Sequence, residues 1–120
     1  RQYPYYAQKL ALNVYAVSGK VVHAEDIIKA LEIMIENETY FYQATLQSLA
    51  PRQIALLRAL AIEPSKTILS NQYIHKHDLG SIGGVQSAIK KLRQMDLVEI
   101  DTDRRYRTVD PIFSMWLQKL

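Results

Sequence analysis

The sequence predicts a mainly α fold with a small β-hairpin near its end, and three observations predict it. Apolar residues recur at helical spacing through most of the chain. Two short alternating runs, Leu97-Val98-Glu99-Ile100 and Arg104-Arg105-Tyr106-Arg107-Thr108-Val109, flank an Asp101-Thr102-Asp103 turn. Ser, Gly and Pro stand where caps and breaks belong.

Taken in order, the run from Pro4 brings Tyr6, Leu10, Asn13, Val14 and Val17 near helical spacing, and Ser18-Gly19 supplies a stop that tolerates left-handed backbone. Residues 24–49 open with Glu25 and Asp26, acids suited to the positive end of a helix. Apolar positions follow at Ile27, Ile28, Leu31, Met34, Ile35, Tyr42, Leu46 and Leu49. Asn37-Glu38 interrupts the stripe, so one kinked helix or two shorter ones satisfy it. Pro51 suits the first position of the next helix, Ile54, Leu56, Leu57, Leu60 and Ala61 give it a broad apolar face, and Pro64 closes it.

Lys66-Thr67-Ile68-Leu69 is β-prone and predicts a third strand beside the hairpin. Ser70 reads as the N-cap of a short helix, Leu79-Gly80 as a turn, and Ser81 as the N-cap of a helix over 82–95. In that helix Val85, Ala88, Ile89, Leu92 and Met95 face the core. The hairpin spans 97–109, and Asp110-Pro111 starts a last helix whose Ile112, Phe113, Trp116 and Leu117 are apolar. Helix, tight turn, helix and hairpin in this order make a winged helix-turn-helix, here preceded by a helical segment.

The helical segment is placed at 1–50 and the winged-helix domain at 51–120, where register and charge both change. Residues 1–50 hold four Lys/Arg against five Asp/Glu, a net of −1, and residues 51–120 hold eleven against seven, a net of +4. With no cysteine, neither disulfides nor thiolate zinc sites hold the fold, and a reducing, cytoplasmic setting is the expectation. No apolar run approaches the roughly 18 residues that span a bilayer, and Arg1-Gln2-Tyr3-Pro4 does not begin a signal peptide, so no membrane partner is expected. The absence of an initiator Met leads us to expect a segment of a longer chain.

Subtracting core positions from the 82–95 helix leaves Gln86, Ser87, Lys90, Arg93 and Gln94 outward. With Ser81 at its head, this face offers amide, hydroxyl and cationic donors to base edges and phosphates, although an ordinary solvated face uses the same residue types. Gly83 and Gly84 would let a partner's backbone come close, and the helix N-terminus favours anions. In the wing, alternation sends Arg105 and Arg107 to one face and Arg104 with Tyr106 to the other. Such arginines suit a phosphate row, yet Asp101 and Asp103 stand beside them and can neutralise them.

Catalytic signals are weak. Gly19-Lys20 lacks the glycine at position 14 that a phosphate-binding loop needs, no GxSxG elbow occurs, and there is no cysteine nucleophile. His75 and His77 lie two apart on a helix without a third ligand, which predicts packed or solvated histidines and no metal. The tyrosines at Tyr3, Tyr5, Tyr6, Tyr40 and Tyr42 fit helix packing, with base stacking as the alternative. No catalytic, cofactor or metal residue is therefore assigned.

The chain resembles the C-terminal region of archaeal and bacterial P-loop ATPases related to AAA+ and STAND proteins. The resemblance is carried by Pro51-Arg52-Gln53 with Leu56-Leu57, by Gly80-Ser81 with Val85-Gln86, Ala88-Ile89 and Leu92, by Leu97-Val98 and Tyr106, and by Val109-Asp110-Pro111 with Phe113 and Trp116-Leu117. Tyr3-Pro4-Tyr5-Tyr6 is similar to the start of that family's helical lid. Ala50 departs from the family's usual Ser or Thr, which implies a weaker helix start.

The resemblance implies a non-catalytic lid plus winged helix whose ATP and Mg sites lie in an upstream nucleotide-binding domain. The partner is then double-stranded DNA, met through the helix 82–95 and the wing 97–109, or alternatively the ATPase domain or another protein that the module regulates. A third reading is a stand-alone dimeric transcription factor with residues 24–49 as its seam. The oligomeric state is left open.

Overall fold

The computed structural model describes residues 23–120. The helix expected from Pro4, the aromatic cluster at Tyr3, Tyr5 and Tyr6, and the Gly19-Lys20 step lie outside the described residues. The chain divides into two compact units, one ending at Gln43 and the other running Ala44–Leu120.

In the first unit, α1 covers Ala24–Asn37, and the Asp26 carboxylate accepts from the His23 backbone N–H at 3.3 Å. Ala30, Met34 and Ile35 are buried. Of the two arrangements allowed at Asn37-Glu38, the structure has two separate helices. Thr39 begins α2, Thr39–Gln47, and its hydroxyl donates back to the Ile35 carbonyl at 3.1 Å.

The second unit is the winged helix. Pro51 occupies the first turn of α3, Pro51–Ile62. Ala50 provides no side-chain cap, but Gln53 Oε1 accepts from the Ala50 N–H at 2.9 Å and satisfies one end of the missing pair. Helix α4, Asn71–Lys76, is capped by Ser70 Oγ, which accepts from Tyr73 N–H at 3.1 Å. Gly80 turns the chain at φ +87°, and α5, Ile82–Gln94, starts under Ser81 Oγ, which accepts from Gly84 N–H at 3.1 Å. Strands β1, Val98–Ile100, and β2, Tyr106–Thr108, pair antiparallel with Val98 opposite Thr108, Glu99 opposite Arg107 and Ile100 opposite Tyr106. Asp110 caps α6, Pro111–Gln118, accepting from the backbone N–H groups of Ile112 and Phe113.

The core follows from these faces. Helix α3 lies against α5, α6 and β2, and Leu56, Leu57 and Leu60 meet an interior shared by Val85, Leu92, Val98, Phe113 and Leu117, all buried. Ser114 Oγ and Gln118 Nε2 both donate to the Ala61 carbonyl, fastening α6 to the end of α3.

The expected third strand is corrected. Residues 66–69 form a bend and turn, and the sheet gains only an isolated antiparallel bridge between Ser65 and Tyr106, with N···O distances of 3.2 and 2.8 Å. Local bonds outcompete the ladder: Ser65 Oγ accepts from Thr67 N–H at 2.9 Å and the Thr67 carbonyl accepts from Ser70 N–H at 3.0 Å. Ile68 is spent on the core as a turn residue, 3% exposed.

Candidate functional site

Helix α5 is amphipathic because Val85, Ala88 and Leu92 recur on one side and are buried. The other side carries Gly83, Gln86, Ser87 and Lys90 at i, i+3, i+4 and i+7. Gln86, Ser87, Lys90, Arg93 and Gln94 are all exposed, as their spacing predicts. Lys91 is exposed as well, and none of Lys90, Lys91 and Arg93 forms an ion pair among the described residues. Ile82, 46% exposed, heads the face.

A cation absent from the expected set stands at the start of this helix. Arg52, from the first turn of α3, reaches across the turn and places Nη1 3.4 Å from Ser81 Oγ. Its guanidinium lies over Gly80 and Gly84, and a β-carbon built on Gly84 would come within 2.4 Å of Nη1. At Gly84 the space expected to admit a partner is occupied by this chain's own Arg52. Gly83 differs, for a β-carbon there would meet nothing within 4 Å. Arg52 was invisible to local pattern because its partner lies 29 residues away.

Two of the wing's three arginines, Arg105 and Arg107, are paired with its own acids. Asp101 Oδ1 accepts from the backbone N–H of Asp103 at 2.8 Å and of Arg105 at 2.9 Å, closing the turn. Its Oδ2 takes Arg105 Nε at 3.3 Å and faces Arg107 Nη1 at 3.8 Å. Asp103 takes Arg105 Nη2 at 3.4 Å, and Glu99 stands opposite Arg107 in the register. The Arg105 backbone N–H acts most strongly on the Asp101 carboxyl; burial opposes it, the Asp103 N–H and the Arg105 charge add to it, and the carboxyl is held below its ordinary range. Arg105 and Arg107 therefore share a face, as alternation predicts, but it is a neutralised one. Arg104 sits exposed in the turn at φ +64° and makes no ion pair among the described residues.

Behind the helix-turn-helix, Glu63 braces α4 against the end of α3. Its carboxylate meets His77 Nε2 at 2.7 Å and Lys76 Nζ at 3.1 Å, and these two partners, His77 first, keep it below the ordinary carboxylate range. Tyr73 OH donates to the Glu63 carbonyl at 2.8 Å, and its ring lies 4.5 Å from that of His77. Burial raises the Tyr73 hydroxyl far above the usual phenol range. His77 is thus a packed, bonded histidine, as expected. Among the described residues no group of three or more His, Asp or Glu is placed to hold a metal ion, and no helix is long and apolar enough to cross a membrane.

Comparisons with known proteins bear on this arrangement. A family model described as a probable winged helix domain matches residues 40–119. No curated protein and no solved structure matches the chain.

Proposed function

The chain belongs to the family of probable winged helix domains, and from that premise we propose that it is a non-catalytic module of a P-loop ATPase that binds duplex DNA. The contact surface is the outward face of α5, with Arg104 at the wing tip as an outlying contact. The observation that carries this reading is the set Lys90, Lys91, Arg93 and Arg104, exposed and without ion pairs among the described residues. A duplex presents one negative charge about every 1.7 Å, so such a set gains by releasing counterions. Gln86 and Ser87 on the same face supply hydrogen-bonding groups for base edges.

The ATPase parentage rests on the sequence resemblance, and ATP and Mg belong to that parent and not to this chain. A GxxxxGK[ST] loop upstream of Arg1 in the complete gene product is its direct test. For DNA, titration of a random duplex at low salt is decisive. Four phosphate contacts predict a log–log salt slope of about −3.6. Absence of binding at protein concentrations on the order of 10 μM removes the DNA reading.

One observation favours a second reading, a docking module for the ATPase domain or another protein. Asp101 and Asp103 occupy Arg105 and Arg107, which leaves the wing poorer in available charge than its composition suggests. Charge reversal at Lys90 and Arg104 in the parent would then change ATPase activity with no duplex affinity to lose. The dimeric transcription factor is tested by sedimentation, where a monomer at all concentrations removes it.

A further inference from the structure

The two adjacent glycines of α5 have different surroundings. At Gly84 the end of the Arg52 side chain occupies the space a β-carbon would take, and a substitution there would push that exposed side chain aside. Gly83 is demanded by nothing in the described fold. Its backbone lies outside the left-handed range, it is the second residue of a regular helix, it is exposed, and a β-carbon would project into open space. Apart from proline, glycine is the poorest helix former, so alanine in this first turn should still make a more stable helix, by less than in a helix interior. A residue that weakens its own helix without a packing reason is a mark of something outside the fold.

Gly83 also has a defined place. It is the first member of the exposed row Gly83, Gln86, Ser87 and Lys90, so the gap it leaves opens on the face proposed to meet the duplex. We infer that Gly83 is the close-approach point of that face, where a sugar–phosphate strand of duplex DNA packs against the bare Cα while Gln86, Ser87 and Lys90 contact the duplex farther along the row. This inference rests on the DNA reading and adds the residue that sets how near the helix comes to its ligand. A β-carbon here would hold the helix away and lengthen each hydrogen bond along the row, where distance is critical.

The test measures stability and binding on the same proteins. Gly83→Ala and Gly83→Leu are made in the full chain, melted thermally, and titrated with a mixed-sequence duplex at low salt. The expected result is a Tm higher by up to about 4 °C for Gly83→Ala, with duplex affinity weakened about tenfold and weakened further by Gly83→Leu. Loss of binding together with gain of stability is a pattern a structural glycine does not produce. If the parent chain binds no duplex, the DNA reading and this inference both fall. If the parent binds and both variants match it, only this inference falls. A lowered Tm for Gly83→Ala also overturns it, since Gly83 would then serve the fold itself.

Discussion

The cations of α5 and those of the wing are alike in chemistry and differ in company. Lys90, Lys91 and Arg93 project from a helix whose own sequence offers no acid between Ile82 and Gln94, and they form no ion pair among the described residues. Arg105 and Arg107 lie on a hairpin with Glu99, Asp101 and Asp103 within a few residues, and the antiparallel register folds acid onto base. Counting charges along a sequence weighs both groups equally. What a partner meets is the charge left after the local fold has satisfied itself, and by that measure the helix outweighs the wing.

Four measurements would break or sharpen this contrast. The largest effect is expected at Leu92, fully buried on the inner side of α5. Leu92→Ala should cost about 2–5 kcal/mol in urea unfolding, and a loss below about 1 kcal/mol would mean that α5 is not anchored as described. Next is Asp101→Asn, which keeps an oxygen for the turn N–H groups and removes the charge. Releasing Arg105 and Arg107 should tighten duplex binding several-fold and steepen the salt slope by up to about 2; an unchanged slope would show that the wing never faces the duplex.

A smaller change is expected from a matched pair. Lys90→Gln should make the salt slope shallower by about 1, whereas Arg105→Gln should leave it unaltered. Equal effects from the two would erase the distinction between helix and wing. The smallest is a pH effect on stability. Asp101 and Glu63 are held below their ordinary values of 3.8 and 4.5, so their stabilisation is complete above those values and is lost as pH falls through the lower folded-state values. Between about pH 5 and pH 3 the parent should lose more Tm than Asp101→Asn does, and parallel curves would contradict the assigned role of Asp101.

Much of the fold was legible because its punctuation is local. Ser70, Ser81 and Asp110 each cap a helix through a bond to a residue two or three positions on, and a Ser or Asp at the head of an apolar-periodic run is enough to mark each one. The strand expected at 66–69 has the same origin in reverse: the β-propensity of Thr67, Ile68 and Leu69 is plain in the sequence, while the Ser65 and Thr67 turn bonds that decide the path are not. In the candidate site, exposure of Gln86, Ser87, Lys90 and Arg93 followed from periodicity alone. Arg52 did not, since a cation on α3 reaches Ser81 only once the helices are packed. The two glycines looked identical in sequence, and only the packed arrangement separates the one that shelters Arg52 from the one that faces open space.

Arg104 adopts a left-handed backbone, φ +64°, that glycine accepts freely and a side-chain-bearing residue does not. Selection for a sturdier hairpin therefore pulls this position toward glycine, and the same replacement would strip the tip of its charge. Variants of this domain should accordingly divide at this site into comfortable wings without a cation and uncomfortable ones that keep it. Which kind a given variant carries becomes a readable sign of whether its wing is under pressure to hold its shape or to touch something.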